Sequence, residues 1–285
     1  MYVVTGATGN TGSVVANRLL DAGKQVRVIV RSAEKGARFA KRGADVAVVD
    51  LNDEPALEAA LKGAEGLYLL SPPDPTAKSF IAERKLLTES IAKTIQRAKV
   101  KHVVLLSSAA AQHASGTGPI LTVHNAEEQL RATGVPTTFV RAAHFVENWG
   151  AVIAVAKKDG VLPSFLPEGL RIPMVAARDI GAVAAQALLD GPRGHRVIEL
   201  AGPRDVSPAE VAITVGKLLG RPVKVVEAPL DAVVPTFTSF GFSENVAGLF
   251  REMYAGVASG VVSFDGRGEP ARGTTTVEDA LRPFV

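Results

Sequence analysis

The sequence predicts an α/β fold: a doubly wound parallel sheet with a smaller C-terminal α/β lobe. Three observations carry that reading. Short β-branched runs alternate with amphipathic helical stretches through the first half of the chain. The runs are almost continuously apolar, as strands are when helices cover both faces of a parallel sheet. A glycine-rich turn, Thr5-Gly6-Ala7-Thr8-Gly9-Asn10-Thr11-Gly12, joins the first run to the first helix.

Each element has its own signal. Tyr2–Thr5 opens as a strand. Thr11–Ala22 follows as a helix, with Val14, Val15, Leu19 and Leu20 on its apolar stripe and Gly23 as its stop. Gln25–Val30 and Asp45–Val49 are the next strands, and Asn52 or Asp53 caps a helix carrying Pro55, Leu57 and Leu61. Gly66–Leu70 is the fourth strand. Lys78–Ala98 repeats Ile81, Leu86, Leu87, Ile91 and Ile95 at helical spacing. His102–Ser107 and Thr137–Arg141 complete six strand–helix units, which fall within residues 1–150. Beyond Asn148 the rhythm loosens into a second unit, residues 151–285, able to return strands to the main sheet. Its helices are Arg178–Leu189 and Pro208–Leu219, capped from Arg178-Asp179 and Ser207-Pro208, and its strands Val197–Leu200 and Val223–Glu227. The aromatic-rich stretch Pro229–Ser263 is expected over the sheet's carboxyl edge, followed by a Gly- and Thr-rich tail, Gly266–Thr276.

Composition narrows the function classes. With 285 residues, 47% hydrophobic and 21% charged, the chain fills a core and is not a disordered protein. Lys+Arg 32 against Asp+Glu 29 leaves a scattered excess of +3, which calls for neither nucleic acid nor a membrane surface. The count of zero cysteines excludes a disulfide scaffold, a thiolate metal site and a cysteine nucleophile, and the five histidines do not cluster, so no metal is expected. No apolar run approaches the ~18 residues of a membrane span, and a strand starting at Tyr2 leaves no room for a leader. A cytoplasmic monomer or homodimer is expected.

The glycine turn carries the strongest chemical signal. Its spacing is G-x-x-G-x-x-G: Gly6 permits the turn, Gly9 lets backbone amides approach a pyrophosphate, and Gly12 lets the helix pack close to the strand. Thr8, Asn10 and Thr11 complete a loop whose helix N-terminus offers free N–H groups to phosphates. Residues 1–150 thus read as an NAD(P)-binding Rossmann domain and 151–285 as a substrate or lid lobe. A site for NAD(H) wants a carboxylate about 20 residues beyond the motif, to accept from the ribose 2′-OH. This chain has Arg31 there, with Lys35 and Arg38 behind it, which suits a 2′-phosphate and predicts NADP(H) in preference to NAD(H). Three further strand ends face the same crevice: Asp50-Leu51 beside the adenine, Ser71-Pro72 beside ribose or nicotinamide, and Ser107-Ser108 at the end of the fifth strand.

The Tyr-x-x-x-Lys pair of short-chain dehydrogenases is absent, because the residues four beyond Tyr2, Tyr68 and Tyr254 are Gly6, Pro72 and Ala258. The helix after the fifth strand instead carries His124-Asn125-Ala126-Glu127-Glu128, with His124 and Glu128 on one face. His124 either donates to a substrate oxygen or serves as an ordinary helix hydrogen bond.

These residues together resemble the NmrA-like family of atypical short-chain dehydrogenases/reductases. The resemblance rests on Gly6 to Gly12, Arg31-Ser32, His124 with Glu127/Glu128, and Thr137–Arg141 leading into Phe145-Val146-Glu147-Asn148-Trp149. It implies a Rossmann-type domain with a small C-terminal lobe, NADP(H) held by the glycine loop and Arg31, and Phe145 and Asn148 near the nicotinamide and substrate cleft. It also implies either a reductase of quinones or dyes or a regulator that senses the cofactor without turnover.

Chemistry favours conjugated acceptors. Hydride transfer to a simple ketone needs a positioned acid worth roughly 10²–10⁴ in rate, whereas quinones delocalise the charge and cationic dyes are neutralised by it. The first expectation is an NADPH-dependent oxidoreductase whose quinone-like or aromatic acceptor sits among Phe145, Asn148, Trp149, Phe237, Phe240 and Phe242. The alternative is a non-catalytic NADP(H) redox sensor acting through a protein partner, and isomerase-like chemistry is the remaining outcome.

Overall fold

The computed structural model describes residues 1–285. The first half runs β1 (Tyr2–Val4), α1 (Asn10–Asp21), β2 (Val26–Val30), α2 (Ala33–Ala40), β3 (Asp45–Val48), α3 (Glu54–Leu61), β4 (Gly66–Leu69), α4 (Phe80–Arg97), β5 (Val103–Ser108), α5 (Leu121–Ala132) and β6 (Thr137–Ala142). The second half begins with β7 (His144–Phe145), α6 (Ile153–Asp159), β8 (Val161–Ser164), β9 (Ile172–Val175), α7 (Ala177–Asp190), β10 (Arg196–Ala201) and β11 (Asp205–Val206). It ends with α8 (Pro208–Leu219), β12 (Lys224–Glu227), α9 (Val233–Ser239), α10 (Glu244–Ala258), β13 (Glu269–Arg272) and α11 (Val277–Leu281).

The main sheet has the order β3-β2-β1-β4-β5-β6-β10-β13, and every pair in it is parallel. The first six strands follow the Rossmann order, with the reversal point between β1 and β4. Alternation along each strand feeds two cores. Val4, Val28, Tyr68 and Val104 pack on the face covered by α1 and α7, and Val3, Ile29, Leu67 and Leu105 on the face covered by α3, α4 and α5. The expected doubly wound α/β class is therefore the observed one. No helix is long and apolar enough to cross a membrane.

β10 and β13 come from the second half and extend the sheet at the β6 edge. β13 lies inside the stretch expected to be a tail; its Pro270 is tolerated because the strand is an edge. The remaining strands form two small sheets, β7-β9-β11 and β8-β12, around a third core containing Ile153, Leu162, Val211 and Val215.

Two caps behave as expected: Asp53 accepts from Ala56 N at 3.0 Å, and Ser207 forms a capping box with Glu210. The α7 cap does not. Asp179 is buried and takes the N–H and hydroxyl of Thr275 at 2.9 and 2.8 Å, which anchors the chain after β13. Glu147 serves the α7 N-terminus instead, accepting from Ala177 N through both oxygens at 2.9 and 3.0 Å.

Candidate functional site

The glycine loop leaves β1 at the reversal point. Gly6 has φ +60°, a left-handed conformation that side chains resist, and a Cβ there would strike the Leu70 side chain. Gly12 is buried, and a Cβ on it would collide with the carbonyl oxygen of Gly6. Gly9 is different: it is exposed, and a Cβ there would meet only Gly6 O at 3.4 Å. Gly9 is also the N-cap of α1, with no side-chain cap and no acidic residue in the first turn. The loop is fixed from beneath, where Thr5 Oγ1 donates to Tyr68 O at 3.0 Å and accepts from Leu70 N at 3.3 Å. Thr8 and Asn10 are exposed on its outer side. Thr11 is buried, unlike Thr8 and Asn10, and its hydroxyl accepts from Tyr68 OH at 2.8 Å, keeping its own O–H and its backbone N–H as donors.

Arg31 stands exposed at the end of β2 and Asp50 exposed just beyond β3. Asp50 accepts from the N–H and side-chain amide of Asn52 at 2.9 and 2.8 Å, and these bonds, with a smaller contribution from Arg31, hold its carboxyl below the usual range. Leu51 packs against the second core. Arg38, expected behind Arg31, reaches back from α2 to donate to Ala7 O at 3.2 Å. This donor set fits a dinucleotide with a 2′-phosphate: open N–H groups over Gly9, and two guanidinium groups beside them.

At the carboxyl ends of β4 and β5 the structure sorts the serines. Ser71 and Pro72 are half-buried in the β4–α4 connection. Ser107 is a correction: it is buried, and its Oγ donates to Glu127 Oε1 at 2.6 Å, behind the sheet. Glu127 also accepts from Arg141 Nε and Nη2 at 3.0 and 2.8 Å, making a buried ion pair that the sequence reading missed. Ser108, one residue on, takes the opposite face and is half-buried. His124 lies in the first turn of α5, hence at the carboxyl end of β5. Its Nδ1 is 2.8 Å from Ala111 O, so it donates there and leaves Nε2 without its proton in the neutral ring. Glu128, on the same helical face by spacing, is exposed, and the buried acid is its neighbour Glu127.

The aromatic residues divide. Phe145 is half-buried and packs against the sheet core at the carboxyl end of β6, and Asn148 is exposed nearby in the chain. Trp149 is a correction: it is buried in the third core with Ile153 and Leu162, so it supports the lobe and does not line a cleft. Phe237, Phe242 and Phe250 form a cluster with centroids 4.7–5.9 Å apart, and Phe165 and Tyr254 extend it. Phe240, expected among them, is 75% exposed after the end of α9 and outside the cluster. A depression of about 1100 Å³ lined by Glu58, Lys62, Lys99 and Lys101 lies among the segments that lead into the amino ends of β4 and β5. Ligands of open α/β sheets bind at the other edge.

The model of the NmrA-like family matches residues 2–260. An NAD(P)H azoreductase of Xenophilus azovorans is 29% identical over 255 residues, covering 90% of this chain and 86% of its own. A (4-alkanoyl-5-oxo-2,5-dihydrofuran-3-yl)methyl phosphate reductase of Streptomyces griseus is 33% identical, covering 81% of this chain and 78% of its own. Among solved structures, the NADPH complex of an NADPH-dependent quinone oxidoreductase from Escherichia coli has a TM-score of 0.84 at 26% identity, covering 99% of both chains.

Proposed function

The chain belongs to the NmrA-like family, and on that premise we propose that it is an NADPH-dependent oxidoreductase that reduces quinone-like or conjugated aromatic acceptors. The observation that carries the reading is the donor set at the reversal point: an uncapped α1 N-terminus above an open Gly9, with Arg31 exposed beside it. The loop from Gly6 to Gly12 holds the pyrophosphate through backbone N–H groups, and Arg31 with Arg38 holds the 2′-phosphate. Asp50 and Leu51 border the adenine. Ser71, Pro72, Ser108 and Phe145 border the nicotinamide end, and Asn148 the acceptor. When bound, the dihydronicotinamide supplies a hydride to the acceptor.

The chain's own groups align the two partners, and His124 offers the acceptor a hydrogen-bond contact rather than a ready proton. His124 Nδ1 is committed to Ala111 O, so only Nε2 is left to face a substrate. An edge without a Tyr–Lys pair suits acceptors that delocalise or neutralise the incoming charge and so need little acid. We place this activity in the cytoplasm, in a monomer or homodimer that contacts no nucleic acid. The test is loss of dihydronicotinamide absorbance on adding a quinone or dye to protein and NADPH. Saturable, acceptor-dependent oxidation supports the reading, and tight NADPH binding without turnover across the panel overturns it in favour of a redox sensor.

A further inference from the structure

The β4–α4 connection, which carries Ser71 and Pro72, is held from the second lobe. α4 starts at Phe80 after Ser79, whose side chain caps nothing. Phe80 N donates instead to Asn245 Oδ1 at 2.9 Å, from a residue 165 positions later in the first turn of α10. Ser243 completes the joint. Its N–H donates to Pro75 O at 2.8 Å, and its hydroxyl donates to Ala77 O at 2.6 Å while accepting from Val246 N at 3.1 Å. Ala77, Phe80 and Val246 close an apolar seam, against which Phe242 and Phe250 pack. On its own side the connection has only short-range ties: Asp74 Oδ1 accepts from Thr76 N and Oγ1 at 3.2 and 3.0 Å, Glu83 Oε1 accepts from Ser79 N at 2.9 Å, and Arg84 reaches Pro72 O at 3.4 Å and Asp74 at 3.7 Å.

We propose that Asn245 and Ser243 are positioning residues for the nucleotide site, linking acceptor binding to the grip on the cofactor. Phe242 and Phe250 belong both to the seam and to the aromatic cluster with Phe237. An aromatic acceptor against that cluster braces the side chains that hold the connection, so each ligand tightens the other. This rests on the reading of Ser71 and Pro72 as cofactor contacts and on an acceptor that reaches from Asn148 to the aromatic cluster.

The experiment is calorimetric titration of NADP⁺, which cannot reduce the acceptor, with and without a saturating naphthoquinone. Wild-type protein is expected to bind NADP⁺ several-fold tighter with the quinone present. Asn245→Ala weakens NADP⁺ binding roughly three- to tenfold, the size of one lost hydrogen bond, and brings the quinone effect to unity. Asn245→Asp keeps an acceptor at the α4 N-terminus and restores both. Ser243→Gly, which preserves most of the α10 cap, repeats the Asn245→Ala result should that variant fold poorly. A lowered Tm with the quinone effect intact reduces Asn245 to an ordinary cap and overturns the proposal. NADP⁺ binding by the wild type that the quinone leaves unchanged overturns the proposal alone, and no NADP⁺ binding overturns the cofactor reading with it.

Discussion

The phenol of Tyr68 donates to Thr11 Oγ1 at 2.8 Å, and both groups are sealed from solvent. The bond ties β4 to the first turn of α1 across the reversal point of the sheet. It links residues 57 positions apart and holds the glycine loop from below. Burial pushes the phenol above its ordinary range, so it stays a donor at any working pH. Tyr68→Phe strands the Thr11 hydroxyl and costs about 1–3 kcal/mol. The expected result is a fall of several degrees in Tm together with weaker NADPH binding; unchanged values for both would show the bond to be idle.

On the proposed reading, Arg31 selects the phosphorylated cofactor. A charged hydrogen bond to a 2′-phosphate contributes about 1.5–3 kcal/mol, on the order of 10–100-fold in affinity. Arg31→Asp is expected to lose that factor for NADPH and little for NADH in parallel titrations. Equal losses for the two would remove Arg31 from the phosphate site.

His124→Asn separates two roles. An asparagine amide can still donate to Ala111 O but offers nothing in place of Nε2. With a quinone acceptor, kcat/KM is expected to fall about tenfold, below the 10²–10⁴ of a full general acid, while the NADPH Kd holds. No change in kcat/KM would leave His124 as a helix hydrogen bond only.

Two histidines set an acid limit on stability. Burial pushes His102 and His144 down from the ordinary 6.5 to about 4, with Arg196 adding to the effect at His102. Between those values the unfolded chain binds more protons than the folded one. The contribution is therefore complete above pH 6.5 and is lost as pH falls toward about 4. The denaturant midpoint is expected to drop over that window by the equivalent of a few kcal/mol in all, and His144→Gln with His102→Gln to flatten the drop. A wild-type midpoint flat across the window would refute the assignment.

What was legible in the sequence was local. Gly6, Gly9 and Gly12 announce a backbone geometry within one turn, and Arg31 a position at one strand end. Strand parity was also readable for the paired serines. Val103, Leu105 and Ser107 share the α4/α5 face, and Val104, Leu106 and Ser108 the α1/α7 face, so Ser107 was bound to meet a helix. The pairs that hold the site were not legible. Glu127 with Arg141, Tyr68 with Thr11 and Asn245 with Phe80 join distant positions whose types are ordinary in isolation. Phe240 and Trp149 were misplaced for a related reason: an aromatic residue reads the same whether it fills a core or projects into solvent. β13 was hidden by Pro270 and the glycines around it, which usually mark loops.

The central claim is hydride transfer from NADPH to a conjugated acceptor. A cationic triarylmethane dye tests it directly, because the hydride ends on carbon and does not exchange with water. NADPH is prepared with deuterium at both positions of its redox carbon, and the decolourised product is weighed by mass spectrometry. The account predicts catalytic decolourisation with one deuterium in each product molecule. Unlabelled product, or no turnover by protein that binds NADPH, would contradict it.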